Sequence, residues 1–216
     1  MGFTVTIGGT NGPTHNALIV FSDNTYIELI ALRSSFARSV VRGMRRLGML
    51  QCLRWFTHRL QTRFIGWLGA REGLVDICLR GADLTQIDQA SPLSSMSLTR
   101  PASFKRHRPD GVVVEWVLRG STDLGQPFFI EDVTPIEYRI PTGDARVHQN
   151  GASGIVEIRT SNMMCTAVSN MRFKRDPALR SGSIAISIHV QSTFCEVSGI
   201  LPLLNPARLV VNSSVE

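Results

Sequence analysis

The chain has 216 residues, 43% of them hydrophobic and 19% charged. This length and composition suit one globular domain or two small modules, and they exclude a disordered, collagen-like or coiled-coil protein. The net charge of +6 is local, because residues 29–71 contain nine arginines and no acidic residue.

The four cysteines, Cys52, Cys78, Cys165 and Cys195, are scattered without a CxxC motif. We therefore predict free thiols and not a disulfide framework or a zinc site. No apolar run approaches the ~18 residues that span a bilayer, and no signal peptide opens the sequence. These features predict a cytoplasmic protein.

The first elements read as strands. Alternation over Phe3–Ile7 predicts one strand, followed by a Gly-rich turn over residues 8–13. Residues 16–21 and 25–32 predict two further strands, joined through Ser22-Asp23-Asn24 as a hairpin. The start of the chain is therefore expected to be antiparallel and β-rich.

Residues 34–69 change to helical periodicity, since apolar residues recur at steps of three and four. Arginines fill the remaining positions, so the region is basic and amphipathic. Three interpretations stay open: the helices cover a sheet with their arginine stems, they touch anionic lipid or nucleic acid, or they present arginines to an anionic substrate.

A second unit follows, with a strand over residues 73–80, a short helix over 84–90 capped by Asp83, and a basic loop from Arg100 to Asp110. Strands over 111–119 and 127–133 complete it. Both units end in a hairpin whose last strand carries one Glu among apolar residues, which indicates an internal repeat. Residues 154–159 and 183–190 predict later strands.

Several segments in order resemble the glyoxalase-like domain of the vicinal oxygen chelate superfamily. The segments are Gly2-Phe3-Thr4-Val5 with Gly8-Gly9, Thr14-His15-Asn16-Ala17-Leu18, residues 23–30, Glu72-Gly73-Leu74-Val75-Asp76, Arg108-Pro109-Asp110-Gly111, Pro127-Phe128-Phe129-Ile130-Glu131, and residues 148–152 leading to Gly154-Ile155.

The resemblance implies an α+β fold in which paired βαβββ modules form a cupped mixed sheet. The first module lacks its leading strand and helix. The implied glyoxalase-like domain spans residues 1–160: a truncated module 1–32, a helical insertion 33–71, a second module 72–141 and a trailing strand 147–160. Residues 161–216 form a poorly patterned C-terminal extension.

The resemblance also implies a divalent metal (Zn, Ni, Fe or Mn) in the cup. Carried over by position, Glu28 and Glu131 on the last strands and Asp76 on the first strand of the second module are its predicted ligands. His15 is the candidate acid/base, since neutral imidazole can exchange a proton or bind a metal. The alternatives are that Glu28 faces solvent and that His15 only ends a turn.

Three functions remain open from the sequence. The first is a metal-dependent isomerase, lyase or dioxygenase acting on a small oxygen-rich metabolite. The second is a catalytically inactive protein that binds a small ligand or serves as a scaffold, which the missing strand favours. The third is a peripheral binder of anionic membranes through residues 34–69. Whether the protein is an enzyme is left open.

The expected partners are a small-molecule substrate and, through the unpaired sheet edge, a second copy of the chain. No nucleic-acid-binding motif is recognisable, so no nucleic acid is expected, and membrane contact is the less favoured interpretation of the arginine-rich helices.

Overall fold

The fold is described from a computed structural model covering residues 2–49, 52, 59–70, 73–81, 83–87, 93–108, 110–123, 125–161, 171–180, 183–190 and 208–213. Its strands are β1 (Thr6–Asn11), β2 (Thr14–Val20), β3 (Tyr26–Leu32), β4 (Cys78–Arg80), β5 (Ala102–His107), β6 (Val113–Gly120), β7 (Phe128–Asp132), β8 (Ala152–Thr160), β9 (Arg172–Arg175), β10 (Ile184–Val190) and β11 (Arg208–Ser213). The helices are α1 (Ser35–Arg46), α2 (Arg59–Gly69) and the single turn α3 (Ile136–Arg139), and a 3-10 turn spans Gly143–Arg146. None of these helices combines the length and apolar character needed to cross a membrane.

The first sheet has the order β1-β2-β3, and both of its pairs are antiparallel. The predicted hairpin is confirmed by the register that sets Val20 opposite Tyr26. β1 begins at Thr6, three residues later than the alternation predicted, and continues to Asn11. Its pairing with β2 passes through a bulge between Ile7 and Thr10. The turn therefore falls at Gly12 and Pro13.

The second sheet has the order β4-β7-β6-β5, with β4 parallel to β7 and the other pairs antiparallel. This arrangement is the one expected of a βαβββ module, and the predicted α+β fold class is confirmed. The helix predicted over residues 84–90 is not seen in its described part, where residues 84–86 form a turn, and residues 88–90 lie outside the described ones.

β5 corrects the basic loop predicted from Arg100 to Asp110. Its half-buried residues, Ala102, Phe104 and Arg106, alternate with exposed ones. An arginine at the half-buried position 106 conceals this period of two in the sequence.

The third sheet has the order β11-β10-β8-β9. It joins the predicted trailing strand to strands from the C-terminal extension, and the strand predicted over residues 183–190 is confirmed as β10. The sequence did not predict β9 or β11. β9 shows no apolar pattern, since it is basic and exposed at three of its four residues. Cys165 and Cys195 lie outside the described residues.

The main core lies where the three sheets meet on their apolar sides. It includes Ile19, Val117 and Phe129 from the first two sheets and Ile186 and Ile188 from the third. The opposite sides of the first two sheets approach each other where Arg139 joins Tyr26 to Asp132, and we call the region between them the cup.

The cup is partly filled by the helices. α2 packs Leu60 and Phe64 against Leu118 and Ile130 of the second sheet. The α3 turn and the residue after it cover the first sheet, where Ile140 packs against Leu18 and Val20. The helical insertion therefore covers the inner side of one sheet, and the polar residues that remain there are the natural place to look for a site.

Candidate functional site

The rim of the cup closes where β1 approaches β5. A side chain at Gly9 would place its Cβ 2.3 Å from Nη1 of Arg106, so the guanidinium lies directly against the backbone of Gly9. Only glycine leaves this space free. The contact brings β1 and β5, which are edge strands of the first and second sheets, together at this end of the cup.

The inner residues follow from strand alternation. On the second sheet, the register places Arg106 opposite Val114 and Asp132 opposite Trp116, on the same face as Cys78. On the first sheet, the inner face carries a second set of side chains, which includes Asn16, Leu18, Val20, Tyr26 and Glu28.

Arg139 connects the two sheets. Its Nε and Nη2 donate to the two carboxylate oxygens of Asp132 at 2.5 and 2.9 Å, and its Nη1 donates to the Tyr26 hydroxyl at 2.8 Å. Burial alone would lower the pKa of Arg139, but the hydrogen bond to Asp132 and the contact with Tyr26 raise it instead. Burial raises the pKa of Tyr26, so the hydroxyl stays protonated and Arg139 stays charged.

Glu28 lies on β3 beside this cluster and is exposed. Its Oε1 accepts a hydrogen bond from Nδ2 of Asn16, whose Oδ1 in turn accepts the amide of Gly9 at 2.7 Å. The second carboxylate oxygen has no partner among the described residues, because no other hydrogen bond or ion pair of Glu28 occurs there. Glu28 is thus a positioned carboxylate with accepting capacity left.

Arg106 is the matching positive group. It makes no ion pair within the described part of the chain, and its Nε is buried without a hydrogen-bond partner. Burial and the positive charge of Arg108 lower the pKa of Arg106, while the negative charge of Glu28 opposes them. Such an unsatisfied buried donor is costly, and a bound water, ion or ligand is one way to satisfy it.

Cys78 lies deeper on β4. Burial raises the pKa of its thiol, and the nearby charges include Arg139, Asp76 and Glu28. The thiol is therefore neutral at physiological pH and does not act as a ready nucleophile.

Asp76 is held by four donors and is not free to bind a ligand. Nε and Nη2 of Arg63 donate to its oxygens at 2.5 and 2.7 Å, Nε1 of Trp67 donates at 2.6 Å, and the Ile77 amide donates at 2.8 Å. Arg63 and Trp67 belong to α2, and Asp76 lies just before β4. The Asp76 carboxylate therefore fastens α2 to the start of β4.

Glu131 alternates with Asp132 along β7 and therefore lies on the other face of the second sheet, which is the face that carries Val117 and Phe129. Its Oε2 accepts the amide of Leu84 at 2.7 Å. The structure thus brings Asp132, and not Glu131, to the side of the sheet that reaches Tyr26 through Arg139.

His15 is exposed on β2, opposite Ala31 and on the other face of the strand from Asn16. The structure therefore does not bring it next to Glu28. Its role as acid/base stays a prediction without a geometric partner.

The fit of a divalent metal can be judged from these contacts. Within the described ranges, no group of three His, Cys, Asp or Glu side chains gathers at one point. Asp76 is saturated and Glu131 faces away, which leaves Glu28 as the one predicted ligand in the cup. The described side chains do not fit a metal centre, and the metal stays a prediction.

The polar residues to which sequence reasoning gave no role are Arg139, Arg106 and Tyr26. The alternation on β7 already indicated that Asp132 faces the opposite way from Glu131, although Glu131 was the predicted ligand. Arg106 and Arg139 gave no signal, because an arginine in a basic segment reads as solvated.

An open groove of about 510 Å³ lies beside the cup, at the end of β4 and β7. Arg80, Asp132 and Thr134 line it, and Arg80 forms no ion pair with the described residues. It offers a second place where a small polar molecule could sit.

Comparison with known proteins agrees with this architecture. A family model described as a glyoxalase-like domain matches residues 1–168. A crystal structure described as a hypothetical protein from Staphylococcus aureus superposes with a TM-score of 0.61 at 16% identity, covering 97% of this chain and 91% of that one. No curated protein matches the sequence.

Proposed function

The chain belongs to the glyoxalase-like domain family, and from that premise we propose that its cup binds a small metabolite with two neighbouring oxygen atoms. One oxygen, anionic or carbonyl, accepts from Arg106. The other oxygen belongs to a hydroxyl group, and either this hydroxyl or the hydrogen on its carbon faces Glu28. The observation that carries the proposal is the buried, unpartnered Nε of Arg106 in the electrostatic reach of the Glu28 carboxylate.

The chemistry follows from this pair. Glu28 can take a proton from the carbon next to a carbonyl, and the electron pair moves onto the carbonyl oxygen. Arg106 then stabilises the enediolate oxygen, as a fixed positive donor does at any developing oxyanion. The hydroxyl proton then passes to the enediolate oxygen, the neighbouring oxygen becomes the new carbonyl, and Glu28 returns its proton to the former carbonyl carbon, which completes an isomerisation. Arginine supplies here the charge that the expected metal would have supplied.

The cluster of Arg139, Asp132 and Tyr26 lies beside Glu28 and supports the Glu28–Arg106 pair. Arg139 is already neutralised by Asp132, so it orders the floor of the cup without competing for the ligand. The neutral Tyr26 hydroxyl and Cys78 thiol keep further negative charge away from Glu28.

Deuterium exchange tests the activity. The protein, incubated with dihydroxyacetone in D₂O and followed by proton NMR, is expected to exchange the carbon-bound protons faster than buffer does. Glu28→Gln should slow this exchange about 10²–10⁴-fold, as loss of a general base does. Arg106→Gln should slow it by about 10²-fold or more.

Arg100→Gln is the matched control, because Arg100 is exposed and lies before the first residue of β5. It should exchange like the wild type. Exchange no faster than buffer, or equal rates in the wild type and Glu28→Gln, would overturn the proposed activity.

Binding without turnover is the second candidate function. It is favoured by α2, whose Leu60 and Phe64 already occupy the inner side of the second sheet and reduce the room for a reacting substrate. Saturable ligand binding without deuterium exchange would select this function.

A further inference from the structure

Helix α1 has an apolar line on its exposed side. Phe36, Val40 and Leu47 are spaced by four and seven residues, so they fall along one side of a helix. Their relative exposures are 77%, 41% and 76%. Met49, just after the helix, is 48% exposed. Such a contiguous exposed apolar surface usually marks an interaction site.

The polar side of the same helix is basic. Arg42 and Arg46 are exposed, and so is Arg33 before the helix. No acidic residue occurs between positions 29 and 71, where nine arginines lie. None of these three arginines forms an ion pair within the described residues, so their charge is available to a partner.

Among the described elements, α1 packs against α2 and β3. Its half-buried residues Ala37, Val41 and Met44 lie on the arc next to the exposed apolar line. The helix is therefore held to the protein along one edge and leaves both its apolar line and its basic side uncovered.

We propose that α1 lies on the surface of an anionic lipid bilayer. Phe36, Val40 and Leu47 would enter the acyl boundary while Arg42 and Arg46 meet lipid phosphates, which is the arrangement of an interfacial amphipathic helix. A second copy of the chain is a poorer partner, because it would bring its own Arg33, Arg42 and Arg46 against these ones. The proposal is independent of the activity assigned to the cup.

Vesicle flotation tests the proposal on the full-length protein. Vesicles of phosphatidylcholine with phosphatidylserine should carry the protein upward, and vesicles of phosphatidylcholine alone should carry far less. Arg42→Gln with Arg46→Gln should lower the partition coefficient about 25-fold, since each basic residue near an anionic surface contributes about fivefold. Phe36→Ser with Leu47→Ser should also abolish flotation.

The control is Arg100→Gln with Arg180→Gln, which removes the same charge from exposed arginines on other elements. It should float like the wild type. Because all substituted residues are exposed, circular dichroism should show an unchanged fold in every variant.

Three results would overturn the proposal: no flotation with phosphatidylserine, equal flotation with both vesicle types, or equal loss in the control and the α1 variants. Retention on immobilised DNA without flotation would assign the basic side to a soluble polyanion and would likewise overturn it.

Discussion

His148 shows how a single side chain fixes the start of the chain. It is buried, with its ring packed edge-on against Phe3 and Phe21. Its Nδ1 accepts the Thr4 amide at 3.0 Å, and its Nε2 can donate to the Val20 carbonyl at 3.1 Å. Both nitrogens are satisfied by the neutral imidazole, and a protonated ring would lose the bond from Thr4.

The pH dependence of stability follows from this environment. Burial lowers the pKa of His148 below the ordinary histidine value of 6.5, although the bond to Val20 opposes the shift. Below pH 6.5 the unfolded chain takes up a proton at this histidine before the folded one does. The free energy of unfolding therefore falls as the pH drops from 6.5 towards the lowered pKa, and it is fully retained above 6.5.

Urea unfolding of the wild type and His148→Gln, from about pH 8 to about pH 5, measures this effect. We expect His148→Gln to cost about 1–3 kcal/mol near pH 8 and to show a shallower decline on acidification. The control His15→Gln removes an exposed histidine and should follow the wild type. An equally steep decline in His148→Gln would contradict this role.

At the scale of elements, the contact between α2 and the residues before β4 decides whether the cup stays covered. Arg63 and Asp76 have side-chain exposures of 3% and 13%, and Arg63 also lies over the Phe128 ring at 5.5 Å. A buried ion pair of this kind is costly to break singly, because the remaining charge is left without a partner.

We expect Asp76→Asn to lower the free energy of unfolding by about 3–5 kcal/mol. Replacing both partners, as Arg63→Met with Asp76→Leu, should recover only part of this loss, because Trp67 Nε1 and the Ile77 amide still lose their acceptor. The exposed pair Arg108–Asp110 supplies the control, since Asp110→Asn should cost less than about 1 kcal/mol. A single-variant loss as small as the control's, in urea unfolding, would show that Asp76 does not fasten α2.

Most strands could be predicted, because their residues alternate or form apolar runs, as in β6 and β10. β5 could not, since Arg106 occupies a half-buried position that ordinarily holds an apolar side chain. Of the ligands that the resemblance implied, Glu28 lies on the inner face of the first sheet, whereas Glu131 lies on the opposite face of β7 from Asp132. Their role as ligands stays a prediction. A shift of one residue along a strand moves a side chain to the other face.

At the scale of the whole molecule, the sheets and the helices between β3 and β4 make different contributions. Among the described residues, the sheets carry the Glu28 carboxylate, which accepts one hydrogen bond, and the Nε of Arg106, which is buried without a partner. Helix α2 covers part of the cup, and α1 leaves an apolar line exposed. The contacts that tie the insertion to the sheets come from residues far apart in sequence, which is why neither composition nor periodicity indicated them.

The central claim is that Glu28 and Arg106 hold one ligand together, and calorimetric titration with glycolate and acetate tests it most directly. Glycolate carries a hydroxyl beside its carboxylate, and acetate does not. In the wild type, glycolate should bind about tenfold more tightly than acetate, as a hydrogen bond to a charged group predicts. EDTA should leave both affinities unchanged.

Glu28→Ala should remove this preference for glycolate, Arg106→Gln should weaken both ligands about tenfold or more, and Arg100→Gln should change neither. The result that would contradict the account is equal binding of glycolate and acetate to the wild type, or affinities that survive Arg106→Gln.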